Sequence, residues 1–332
     1  MNKELLFQDN IEYYSIQKYY PININTIRLN TLKFFSIYIK VVDRFVLYHG
    51  GGELLTQEVL NNLIDHNVHT VYIKNSDTAA YNHYLIENLD EILTDKNINI
   101  NERAEIAHVS MTNIAQSLFQ KPTLKTIATY RNTVSKITNF ILKEDEAISN
   151  LIRMSSLDFK LSTHSINVGV FALGLAKALL AHDPKHNMHA IAAGFFLHDI
   201  GKCSTPVKIL NKTRSLTHDE WKILKQHPSD GYKLLNKFNV NNEEVKTIVM
   251  QHHERNSGKG YPFGLKKNNI HIYSKICSIA DAFEALTSLR PYRSDKGKNV
   301  SSYNALLLLK KEMMQEYEPY FFQQFVLLFR DT

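Results

Sequence analysis

Only two cysteines, Cys203 and Cys277, occur in the 332 residues, and their spacing matches no zinc cage. A disulfide framework and a thiolate metal site are thereby excluded, and a reducing compartment fits best. No apolar run reaches the roughly 18 residues of a membrane span. The opening stretch, MNKELLFQDNIEYYS, lacks the apolar core of a signal peptide, so a cytoplasmic protein without membrane insertion is expected. There is no arginine-rich arm and no block of roughly five or six like charges. The net charge of +6 admits an anionic substrate but does not call for DNA or RNA as a partner. Glycine and proline are sparse, 12 and 8, and they gather in one loop, ERNSGKGYPFGLKKNN at 254–269. That loop is longer than most helix connections, which marks it as functional.

The chain is about twice the length of a typical domain. With 44% hydrophobic residues it can build sizeable cores, so two domains are expected. The segments 34–42, 44–50 and 69–75 are rich in β-branched and aromatic residues and predict strands. Between and after them, 55–67 and 78–93 carry apolar residues at helical spacing, the first after a Thr56 N-cap. From about 96 onward the strand signal fades. Helices are predicted over 101–119, 122–142, 144–157, 162–181, 187–198, 217–236, 241–253, 272–288 and 300–315. The expected fold is therefore an α+β N-terminal domain at 1–95, a helical connector at 96–150 and an all-α bundle at 151–332.

The bundle carries the chemistry. His198-Asp199 ends an apolar helical run, and His252-His253 forms a second adjacent pair, with His164, His227 and Asp281 at helical positions nearby. Adjacent helix residues point about 100° apart, so each pair can approach a metal from two directions. Imidazole and carboxylate are what two borderline divalent cations need, provided Asp199 bridges them, and the first expectation is a metallohydrolase that ionises a water.

HDIGK (198–202), HHERNSGKGYP (252–262) and DAFEALTSLRPYR (281–293) resemble the HD-GYP family, the cyclic di-GMP phosphodiesterase branch of the HD metallohydrolases. The likeness covers about 150–328, and YYPININTIRLN with FVLYHGGGELL resembles the regulatory module often found ahead of such domains. The resemblance implies an HD-type bundle in which His164, His198, Asp199 and Asp281 hold one metal, while Asp199 bridges to a second held by His227, His252 and His253. It further implies two divalent cations, iron or manganese, and a cyclic dinucleotide substrate cut to linear pGpG. Asp199 and Lys202 are expected to carry the reaction, with Lys202, Tyr261, Arg290 and Arg293 contacting the nucleotide. Family members with a third metal have a glutamate four residues before the first histidine; here that position is Lys160, which argues against a third cation. Glu318 stands where the family usually has the aspartate of a Phe-Asp-Pro turn, a change expected to touch an N-cap more than the chemistry. A hybrid cyclic GMP-AMP substrate and a slow-turnover nucleotide receptor are the alternatives. The connector and the N-terminal domain leave room for a homodimer.

Overall fold

The computed structural model describes residues 18–29, 34–155, 160–212, 214–288, 300–312 and 314–330. The chain divides into two compact units, Met1–Arg103 and Ala104–Thr332.

The first unit is built on a four-stranded antiparallel sheet: β1 (Tyr19–Asn23), β2 (Ile37–Val41), β3 (Arg44–His49) and β4 (Thr70–Lys74), in the order β1-β4-β2-β3. β1 has no counterpart among the predicted strands, because Pro21 lies within it. Proline is tolerated there because, among the described residues, β1 is an edge strand that pairs only with β4. Helices α1 (Gln57–Asp65), α2 (Thr78–Glu87) and α3 (Leu89–Thr94) accompany the sheet among the described residues. Thr56 caps α1, accepting from Val59 N as its position predicts. The segment predicted as one helix over 78–93 breaks at Asn88, whose side chain donates back to the carbonyl of Tyr84. Phe35 is buried edge-on against Tyr81 and Tyr84, and an ion pair of 2.7 Å joins Arg28 to Asp95.

From α4 (Ile100–Gln120) onward the described chain is helical: α5 (Leu124–Lys143), α6 (Ala147–Arg153), α7 (Leu161–Leu180), α8 (Met188–Leu197), α9 (Val207–Leu210), α10 (His218–Leu224), α11 (His227–Lys237), α12 (Glu243–Gln251), α13 (Ile272–Thr287), α14 (Ser302–Glu312) and α15 (Pro319–Leu327). α7 is the centre of the bundle, packed by α6, α8, α13 and α15. It is long and apolar enough to cross a membrane, yet 83% of its most apolar stretch is buried inside the unit, as a core helix requires. The helix predicted over 217–236 is two helices, because Pro228 opens α11 and cannot continue α10. Edge contacts among Phe171, Phe283 and Phe325 fix α13 and α15 against α7.

α5 belongs to this bundle: it packs on α8, and the phenol of buried Tyr130 donates to the carbonyl of Phe196 at 2.9 Å. Two residues later α8 delivers His198 and Asp199. The 3-10 turn Ile200–Ser204 then runs against the first turn of α11. Gly201 makes that approach feasible, since a Cβ there would lie 1.9 Å from the carbonyl oxygen of His227.

Candidate metal centre

Most of the seven predicted ligands come from helix ends. His164 lies in the first turn of α7, His198 and Asp199 follow α8, His227 opens α11, and His252 and His253 follow α12; Asp281 sits in the middle of α13. The structure brings all seven together. Asp199, His227, His252 and His253 offer ligand atoms within 4.8 Å of one another, and so do His164, His198 and Asp281. Asp199 faces both groups. Its Oδ2 lies 3.2 Å from His164 Nε2 and 3.5 Å from His198 Nε2, while its Oδ1 lies 3.2 Å from His227 Nε2 and 3.7 Å from His252 Nε2. Asp281 also divides its oxygens, Oδ1 3.4 Å from His164 Nε2 and Oδ2 3.4 Å from His253 Nδ1.

The ring orientations follow from the outer hydrogen bonds. The Nδ1 atoms of His198, His227 and His252 contact the carbonyl oxygens of Phe195 (2.8 Å), Leu224 (2.8 Å) and Val249 (2.9 Å). A carbonyl only accepts, so each Nδ1 carries a proton and each ring turns its Nε2 inward. His227 Nε2 and His252 Nε2 are nevertheless 3.2 Å apart. With both Nδ1 atoms held by carbonyls, the two Nε2 atoms converge as they would on a cation. His198 Nε2 and Asp199 Oδ1 are buried without a hydrogen-bond partner among the described residues. Buried atoms of this kind are costly unless something completes them. The residues therefore fit divalent metals.

Electrostatics separates the two sides. Burial works against ionising Asp199, but Lys202, His198 and His164 outweigh it and hold the carboxyl well below the ordinary range. Burial likewise opposes the Asp281 charge, and the hydrogen bond from His164 leads the effects that hold the carboxyl well below the ordinary range. His252 is pushed down to about 4, by burial first and by its histidine neighbours, with Asp199 opposing. His253 is also lowered, by burial and then by His252. Both stay neutral, the form a metal ligand needs. His164 goes the other way: burial lowers it, but Glu284, Asp199 and Asp281 together raise it well above the usual value.

Lys202 is buried and its ammonium pairs with Asp199 Oδ2. The ring of Tyr261 stacks on His253 at 4.6 Å, with Lys225 Nζ 5.5 Å from its centroid. Arg290 and Arg293 lie outside the described residues. Lys160 stands at the N-cap of α7 with an exposed side chain, giving only its carbonyl to His164 N at 2.9 Å. Glu318 occupies an N-cap without capping, and its carboxylate lies 3.2 Å from Lys267 Nζ.

Sequence reasoning missed two buried carboxylates. Glu254 accepts from Phe263 N at 2.7 Å and Leu265 N at 2.8 Å, folding the 254–269 loop that presents Tyr261. Glu284 meets His164 Nδ1. Its spacing of three residues after Asp281, on the same helical face, is the signal that could have found it.

A helical bundle holding paired histidines and aspartates in two adjacent groups is the architecture of an HD-type hydrolase. The HD domain family model matches residues 146–320, and the chain belongs to that family. The resemblance to its HD-GYP branch holds among the relatives. The chain is 32% identical over 193 residues to the cyclic di-GMP phosphodiesterase PA4108 of Pseudomonas aeruginosa, covering 58% of this chain and 45% of that protein. It is 42% identical over 98 residues to the cyclic di-GMP phosphodiesterase response regulator RpfG of Xanthomonas campestris, covering 29% of this chain and 26% of that protein. It is 41% identical over 104 residues to the 3'3'-cGAMP-specific phosphodiesterase 1 of Vibrio cholerae, covering 31% of this chain and 24% of that protein. The matched stretches thus span less than half the length of these relatives. Bd1817, a HDG"Y"P protein from Bdellovibrio bacteriovorus, shares the fold with a TM-score of 0.63 at 24% identity, covering 92% of this chain and 98% of that one.

Proposed function

We propose that this chain is a two-metal phosphodiesterase that hydrolyses cyclic di-GMP to linear pGpG. The observation that carries this reading is the division of the Asp199 carboxylate, one oxygen toward each histidine group. His164, His198 and Asp281 would hold one cation with Asp199, and His227, His252 and His253 the other. The ligand set suits iron or manganese. When bound, two such cations supply Lewis acidity toward a phosphoryl oxygen and acidity to the attacking water.

The protein's own contribution is arrangement and charge. The Nδ1 anchors preorganise the ring nitrogens, so little reorganisation accompanies binding. Lys202, three residues beyond Asp199, brings an ammonium to the non-bridging or leaving oxygen of the phosphodiester. Tyr261 presents a half-buried aromatic face for the nucleotide. Arg290 and Arg293, carried over from the motif DAFEALTSLRPYR, would grip phosphate or a guanine edge. In the reaction the oxygen of water joins phosphorus, the bond from phosphorus to a ribose 3′ oxygen breaks, and that oxygen leaves protonated.

The 1–95 domain serves regulation or pairing with a second copy, and a cytoplasmic setting fits the two free thiols. A hybrid cyclic GMP-AMP substrate is the second reading. It is supported by the 41% identity to a protein named as specific for that nucleotide. Anaerobic incubation of Fe(II)- or Mn(II)-loaded protein with each dinucleotide, followed by chromatography, tests both. Release of pGpG from cyclic di-GMP by the intact chain and not by Asp199→Ala is expected. Cleavage of the hybrid alone would transfer the assignment to the second reading.

A further inference from the structure

Three histidines of the centre send Nδ1 to a main-chain carbonyl; His164 sends its Nδ1 to the carboxylate of Glu284. Glu284 lies three residues after Asp281 on α13 and is 1% exposed. It is held from both sides. Asn167, three residues beyond His164 on α7, donates to its Oε1 at 3.5 Å, and the Ser288 hydroxyl donates to its Oε2 at 3.4 Å. A carboxylate this deep in a helical bundle costs several kcal/mol unless it is paired and hydrogen-bonded. Helix packing alone would be served by an apolar residue at this position, so the carboxylate answers to the imidazole it touches.

A carbonyl and a carboxylate do different things behind an imidazole. Both fix the proton on Nδ1 and aim Nε2, but only the carboxylate adds a full negative charge, which strengthens the ring as a donor to a cation. The two halves of the centre are therefore unequal. The His164, His198 and Asp281 half has Asp281 within it and Glu284 behind it, two carboxylates that outnumber the one ammonium, Lys202, sharing its Asp199 oxygen. The other half pairs its three histidines with the remaining Asp199 oxygen, and Asp281 reaches it only at His253.

We propose that Glu284 is a positioning residue that makes the His164 half the tighter of two unequal divalent-cation sites. This rests on the metal reading above, and it predicts an order of filling that the reading alone does not. The near-isosteric Glu284→Gln keeps an oxygen for the Nδ1 proton and removes the charge; Glu284→Ala removes both.

The test is calorimetric titration of metal-free full-length chain with Mn(II), repeated for both variants, with the visible spectrum of Co(II) at one equivalent reporting geometry at the first site filled. Wild type should bind in two resolved steps. In Glu284→Gln the tighter step should weaken about 10–100-fold while the looser one stays in place. In Glu284→Ala the Co(II) spectrum at one equivalent should also change. Two wild-type steps of equal affinity would overturn the proposal without any variant. Steps that stay put in both variants, or that weaken together with a fall in Tm, would overturn it as well, the latter by showing a packing role. A wild-type chain that binds no Mn(II) would remove the metal reading and the proposal together.

Discussion

The phenol of Tyr130 donates to the main-chain carbonyl of Phe196 at 2.9 Å, joining α5 to the end of α8, two residues before His198. Tyr130 is fully buried, so no water replaces that bond when the hydroxyl is removed. Tyr130→Phe keeps the ring and removes a buried hydrogen bond, a change expected to destabilise the fold by about 1 kcal/mol. Urea unfolding of the two proteins measures it. Equal midpoints would mean that the α5–α8 bond contributes nothing.

Lys202 is expected to act on phosphate rather than to hold the centre together. Lys202→Ala should lower turnover of cyclic di-GMP by about two orders of magnitude, the usual cost of one lost charge-stabilising donor. Metal content should be retained. Loss of metal from this variant, read by elemental analysis, would assign the lysine a structural role at Asp199 instead.

Both thiols should be inert in the folded protein. Burial pushes Cys203 up to about 12, with Asp199 adding to it, and likewise raises the fully buried Cys277 well above its ordinary range. A thiol titrates by losing its proton as pH rises through its pKa, so pH 8 leaves both protonated. The thiolate fraction of Cys203 is then about a thousandfold below that of an ordinary thiol. Iodoacetamide at pH 8 should label neither residue in native protein and both in urea. Rapid native labelling of Cys203 would show that α8 and the turn after it open readily.

The convergence of the seven histidine and aspartate side chains was legible in the sequence because adjacent His-Asp and His-His pairs at helix ends have little structural use other than binding. The helices were legible from apolar periodicity, and Thr56 from its hydroxyl just ahead of it. Pro228 carried the break between α10 and α11, but it was outweighed by continuous periodicity on both sides. Glu254 and Glu284 escaped because an acidic residue in a polar loop or on a helix reads as solvated. Their burial arises only when α13 meets α7 and the 254–269 loop closes on itself. Pro21 hid β1 because whether a strand lies at the edge of a sheet is a property of the assembled sheet.

Whether one carboxylate serves two metals is read from the metal content of Asp199→Ala. Purified anaerobically with Mn(II) in excess and then desalted, wild type should retain two ions per chain. Asp199→Ala should retain none, because a bridging ligand belongs to both positions. A variant that folds, shows an unchanged circular dichroism spectrum and keeps two ions would contradict the bridge and, with it, the proposed chemistry.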